Sequence, residues 1–190
     1  MDTTSELLTK LILYGLLPIW GITGFIDWIC HKRTGIERTS GLKESLMHSL
    51  MGVQLGVPIV LCLLFRVNAL ILLLCVLAWL AHEVVAHSDV HFATPRRRIS
   101  IWEVHVHNYM ATIPLYLLML VIIINWSTVI KLLSGEFAGE FSLQRLEEPH
   151  GSPAYLRHYL LFMTMLCVLP YVEENIRCLR FALRDKAGTL

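Results

Sequence analysis

A chain of 190 residues that is 55% hydrophobic and 16% charged, with a mean hydropathy of +0.59, is not composed like a water-soluble domain. A formal net charge of +1 lacks the basic excess that nucleic-acid binding requires, so nucleic acid is excluded as a partner. Five cysteines, at 30, 62, 75, 167 and 178, lie in or beside apolar runs without disulfide spacing and read as small core residues. Cys30 beside His31 is a weaker candidate ligand.

The opening Met-Asp-Thr-Thr-Ser-Glu has neither a positive region nor a small-residue cleavage site, so the first apolar run is expected to be an uncleaved membrane helix. Five spans are predicted, at about 7–29, 42–65, 68–90, 104–133 and 155–179, giving an all-α polytopic membrane bundle as one domain over residues 1–190. The second and third spans are nearly continuous. A straight helix through both would be roughly 50 Å long against roughly 30 Å of hydrocarbon, so a hairpin is required at Arg66–Asn68. The segment 134–153 reads as a solvated connection at the far end, with His150 and His158 set aside as non-ligands.

Four histidines follow a carboxylate by four residues: Asp27/His31, Glu44/His48, Glu83/His87 and Glu103/His107, with His91 one turn beyond His87. That spacing puts both members of a pair on one helix face. Composition alone gives roughly one such pair or fewer. Alternating span direction brings all four pairs to one end of the bundle. Ionisable groups at membrane depth are costly, and this many together point to bound metal.

The candidate ligands are Asp27, His31, Glu44, His48, His82, Glu83, His87, His91, Glu103, His105 and His107. A single zinc needs three or four protein ligands, so a larger set implies two metal ions. His82 lies about 140° off the Glu83–His87–His91 face. His105 and His107 are two apart and cannot share a helical face, so one of them is assigned to a loop before the helix. Length matching predicts His31, His48, His87 and at least one of His105 and His107 within about 5 Å of a common site. Glu173 and Glu174 close the fifth span at the same end, and either is a further candidate.

Carboxylates with imidazoles and open positions favour iron, with zinc as the alternative. The pattern His82-Glu-Val-Val-Ala-His87, then His91, then His105-Val-His107 resembles the histidine clusters of membrane fatty-acid hydroxylases, desaturases and carotenoid hydroxylases. The resemblance covers 81–108, and no His-x-x-His-His occurs in the chain. It implies a diiron centre at the cytosolic face, using oxygen to hydroxylate or desaturate a lipid-like substrate with electrons from a cytosolic or quinol donor. The acid–histidine pairs are also similar to carboxylate-rich diiron bundles, which use a spacing of three. Two other readings remain open: a zinc-dependent lipid hydrolase, and a bis-histidine haem protein with opposed His48 and His87, or a metal carrier. Eleven Lys and Arg residues fall at the pair-bearing end and five at the other, which predicts a cytosolic site and an external N-terminus.

Overall fold

The computed structural model of the chain describes residues 3–136, 138 and 140–188. Among these the architecture is helical, with α1 (Thr3–Thr34), α2 (Leu42–Leu64), α3 (Ala69–Ala93), α4 (Ile101–Ile124), a short α5 (Trp126–Ser134) and α6 (Pro153–Gly188). All except α5 are long and apolar enough to cross a membrane, as the sequence predicts. Helices α2, α3 and α4 each measure roughly 35 Å, a close match to a roughly 30 Å hydrocarbon layer.

The hairpin forms where the sequence requires it. Phe65 turns extended (φ −122°, ψ 152°), and the Asn68 side chain accepts the Ile71 N–H, capping the new helix. The last carbonyls of α2 have no partner within their own helix. The segment after α5 supplies partners: Leu146 N–H donates to Leu64 O and His150 N–H to Leu63 O. The stretch expected to be a solvated connection is largely exposed, and its 146–150 part also caps the hairpin. A correction concerns the fourth span, expected to run to 133. It stops at Ile124 because Asn125 leaves helical geometry (φ −108°, ψ 33°) while its side-chain amide donates to Val121 O.

Helix α2 packs along α3, α1 lies against α4, and α6 leans on both α1 and α2. The α1–α6 approach is close enough to demand glycine. A Cβ on Gly21 would stand 2.6 Å from Phe162, and one on Gly24 would stand 3.2 Å from Cys167 Sγ. Leu13, Leu17, Trp20, Leu55, Leu63, Ile113, Leu117 and Tyr159 form an apolar core in the half nearer the hairpin. Val53, Val57, Leu77, Val84, Met119 and Val168 stay exposed along the spans, as side chains facing lipid do. The opposite half, where α1 ends and α2 and α4 begin, is packed differently.

Candidate metal centre

Five helices deliver ionisable side chains to one buried cluster. Asp27 and His31 come from the last turns of α1, which ends when Gly35 adopts φ +67°. Glu44 and His48 come from the start of α2, Asp89 from the end of α3, Glu103 and His107 from the start of α4, and Glu174 from α6. Ser100 caps α4 by accepting the Glu103 N–H, so Glu103 and both nearby histidines lie on the helix and none comes from a preceding loop. Arg97 enters from the connection between α3 and α4. Asp27, His31, Glu44, Glu103 and Glu174 are at most 1% exposed, Asp89 is 3% and His48 6%.

The atoms fall into two adjoining groups. In the first, Asp27, His31, Glu103 and His107 each place one donor atom within 4.8 Å of the others; in the second, Glu44, His48 and Asp89 do the same. His31 Nε2 is 3.4 Å from Asp27 and 3.5 Å from Glu103, and His107 Nε2 is 2.9 Å from Asp27 Oδ1. His48 Nε2 is 3.2 Å from Asp89 and 3.8 Å from Glu44. Donor atoms sharing an ion at bond lengths of about 2.0–2.2 Å lie roughly 3.0–3.6 Å apart in tetrahedral or octahedral geometry, which most of these separations match.

Glu174 joins the groups. Its Oε2 lies 3.0 Å from His31 Nδ1 and its Oε1 3.3 Å from His48 Nδ1, so one carboxylate receives both rings and leaves each Nε2 turned toward its own group. Histidines that ligate metal are held this way, with the second nitrogen donating to a carboxylate. Tyr171 OH fixes the acid beside them, donating to Asp27 Oδ2 at 3.0 Å. The Ser45–Asn175–Ser49 chain of hydrogen bonds ties α6 to α2 beside Glu174.

Several atoms are close without being hydrogen-bonded. Asp27 Oδ1, His31 Nε2 and Glu103 Oε1 are met by ion-pair contacts alone, whereas Glu44 Oε2, Asp89 Oδ1 and Glu103 Oε2 are buried with no hydrogen-bond partner. Such groups cost about 1–3 kcal/mol each unless something else satisfies them. The charge count points the same way. Five carboxylates against one guanidinium leave four uncompensated negative charges when the imidazoles are neutral, which two divalent cations would cancel. The residues present thus fit a two-metal centre.

Arg97 is the cluster's one built-in cation among the described residues. Its Nη2 stands 2.5 Å from Glu44 Oε1 and 2.5 Å from Glu103 Oε1, so it reaches one carboxylate of each group. Burial opposes its charge, but those two carboxylates outweigh burial and hold the pKa above the ordinary arginine value. Its Nη1 is buried and unpartnered.

Of the eleven residues singled out in the sequence, six converge: Asp27, His31, Glu44, His48, Glu103 and His107. Glu83, His87, His91, His82 and His105 join none of the groups. His87, His91 and His105 are exposed, Glu83 is partly exposed, and His82 is buried apart from the cluster. The expectation that His87 shares the site is therefore corrected. The cause lies in α3, whose buried positions are Ala69, Ile71, Leu72, Cys75, His82, Asp89 and Ala93. That face carries Asp89 inward and turns Glu83, His87 and His91 away. A spacing of seven through Cys75, His82 and Asp89 is the sequence signal that reveals it. Arg97 has no such signal, since it sits between Arg96 and Arg98 in a triplet that reads as a headgroup anchor.

Fold and site together define a polytopic helical bundle with a buried carboxylate–histidine cluster at one end of its spans. No family model, curated protein or solved structure matches the chain.

Proposed function

We propose that this chain is a membrane-embedded oxidoreductase whose cluster holds two iron ions and uses oxygen to hydroxylate or desaturate a lipid-like substrate. The observation that carries the reading is two adjoining groups of buried carboxylate and imidazole donors whose atoms lie within 4.8 Å of one another, with Glu44 Oε2, Asp89 Oδ1 and Glu103 Oε2 left unpartnered. Asp27, His31, Glu103 and His107 would hold one ion, and Glu44, His48 and Asp89 the other. Carboxylate-rich, two-ion sites with few imidazoles suit iron among the common metals. Iron there supplies oxygen activation, with two electrons drawn from a cytosolic or quinol donor.

The protein's own groups do the rest. Glu174 sets both ring orientations. Arg97 neutralises one charge shared between the groups and keeps the two subsites at a fixed separation. Burial of the carboxylates excludes bulk water, which protects an oxidising site from side reactions. His107, with 26% of its side chain exposed, marks the edge by which a hydrophobic substrate reaches the centre. The excess of Lys and Arg at this end supports a cytosolic position for the centre.

A second reading draws on Arg97 Nη1, a buried donor without a partner beside two metal subsites. It suits the anionic oxygen of a phosphoryl or carboxyl ester, and so a zinc-dependent lipid hydrolase. A haem site fits less well. The His31 and His48 rings stack at 4.4 Å and 15°, leaving no room for a macrocycle between them, and His87 is exposed.

Metal analysis of the purified full chain with an activity assay under air and under nitrogen separates these readings. Close to two iron ions per chain and activity that needs oxygen support the oxidoreductase. Less than one iron per chain with activity intact, or turnover under nitrogen restored by zinc, overturns it.

A further inference from the structure

The half of the bundle next to the hairpin contains a cavity of about 300 Å³ between α1, α2, α3 and α4. Pro58 interrupts α2, Pro114 interrupts α4, and the π turn Ile12–Leu16 widens α1 beside it. Proline kinks and π turns disturb the hydrogen-bond ladder, so the helices do not close over this space. Two thiols, Cys62 and Cys75, stand in its wall.

Sequence spacing gives the five cysteines no disulfide pattern, and folding brings two of them together. Cys62 lies in the last turn of α2 and Cys75 in the second turn of α3, and the hairpin places their Sγ atoms 3.5 Å apart. Among the described residues this is the one contact between thiols. Cys167 Sγ donates to Gly21 O instead, and Cys30 and Cys178 are buried in the cluster half. The two arms that carry the pair are pinned close by. Asn68 joins the Ile71 N–H to Ser142 O, and the cap segment donates to the Leu63 and Leu64 carbonyls. The thiols are thus held in contact by the fold, as an intramolecular reaction between them requires. To bond, the sulfurs need to close by roughly 1.5 Å, which small rotations about the two Cα–Cβ bonds deliver.

We infer that Cys62 and Cys75 form a reversible redox pair that hydrogen peroxide converts to a disulfide stapling α2 to α3 beside the hairpin. Cys62, the more exposed of the two, reacts first. Its sulfur attacks the peroxide O–O bond, becoming a sulfenic acid while its proton leaves with the departing hydroxide as water. Cys75 Sγ then displaces hydroxide from that sulfur, its own proton completes a second water, and the S–S bond forms. Two thiols lose two electrons, and one peroxide is reduced to two waters. Cys62 lies four residues inside the span from Arg66, or roughly 6 Å, among aliphatic neighbours. A small uncharged oxidant enters such a place, whereas a charged, bulky one such as oxidised glutathione is held at the surface. The pair is separate from the carboxylate–histidine cluster, fourteen residues or roughly 21 Å along α2 from His48, and stands whether or not that cluster holds metal.

The test uses the full chain in nanodiscs, reduced, desalted, exposed to hydrogen peroxide and then blocked with N-ethylmaleimide. Trypsin cuts after Arg66 and so separates the two cysteines, and the disulfide is read as a cross-linked peptide pair by mass spectrometry. The cross-link is expected before Cys30, Cys167 or Cys178 loses its alkylation, and dithiothreitol reverses it. The oxidised protein should unfold about 5 °C higher than the reduced one, as a closed loop of this length predicts. In Cys75→Ser, Cys62 stops at the sulfenic acid, which dimedone traps, and the thermal shift disappears. The cross-link in the unaltered protein decides the matter if that variant folds poorly. Cys62 and Cys75 remaining alkylated to the same extent as Cys167, Cys62 linking to another chain, or Cys30 oxidising first overturns the inference.

Discussion

At one end of this bundle, five carboxylates, three imidazoles and a guanidinium are packed against one another; at the other, the same spans enclose a largely apolar cavity. The two ends share helices but not a logic of stability. Around the void the spans are held by aliphatic packing, and backbone groups are satisfied by a capping segment. At the cluster, every stabilising contact is also an electrostatic liability, because removing one partner strands another charge. The comparison teaches where substitutions hurt. In the cluster half a change of one atom alters the charge balance, whereas in the cavity half it alters mainly packing.

The comparison breaks most sharply at Glu174. Glu174→Ala removes the acceptor of two ring nitrogens at once and is expected to cost about 3–5 kcal/mol of stability. Bound metal is expected to fall to background in the same variant. Thermal unfolding with metal analysis checks both, with His87→Ala, His91→Ala and His105→Ala as controls that change neither. Retention of metal in Glu174→Ala, or its loss in the His87 variant, means the cluster is not the metal-holding element.

Arg97 sharpens the comparison in the other direction. Arg97→Gln keeps some hydrogen bonding but adds one uncompensated negative charge between Glu44 and Glu103, at a cost of about 2–3 kcal/mol. A divalent cation answers the same deficit, so the variant should gain more thermal stability from added Fe(II) or Zn(II) than the unaltered chain does. Equal shifts in the two proteins would separate the guanidinium from the metal subsites.

How much of this was legible follows from what each element depends on. Span number, the hairpin at Arg66–Asn68 and the meeting of helix ends depend on apolar run length, which the sequence displays directly. Asp27/His31, Glu44/His48 and Glu103/His107 were legible because an acid one turn from a histidine is local geometry. The Glu83/His87 pair has the same spacing and points outward. Spacing within a helix sets which residues share a face, and only packing sets which face turns inward. Asp89 was missed for that reason. Arg97 and the capping role of 145–150 were not legible at all, since both depend on where a connection folds back against distant helices.

The smallest expected effect belongs to the hairpin end and is a pH dependence. His150 sits half-buried at the cavity mouth, and burial lowers its pKa from the ordinary value of about 6.5. The sign follows from which state holds the proton. Above pH 6.5 the ring is neutral folded and unfolded, and its contribution is complete. Below that, the unfolded chain takes up a proton that the folded chain resists, so stability falls until pH reaches the lower folded value. The loss is the smallest of those expected, because one partly exposed ring carries it. The cluster's carboxylates and histidines also respond to acid, so the measurement is a difference: unfolding of the unaltered chain and of His150→Gln at pH 7.5 and 5.5. His150→Gln should lose less stability on acidification, and Cys62 alkylation at pH 5.5, corrected for thiolate fraction, should be slower in the variant because the cap over the hairpin stays seated. Identical acid responses in the two proteins would mean that the His150 ring is solvated in both states, and that the cap is held by its backbone hydrogen bonds alone.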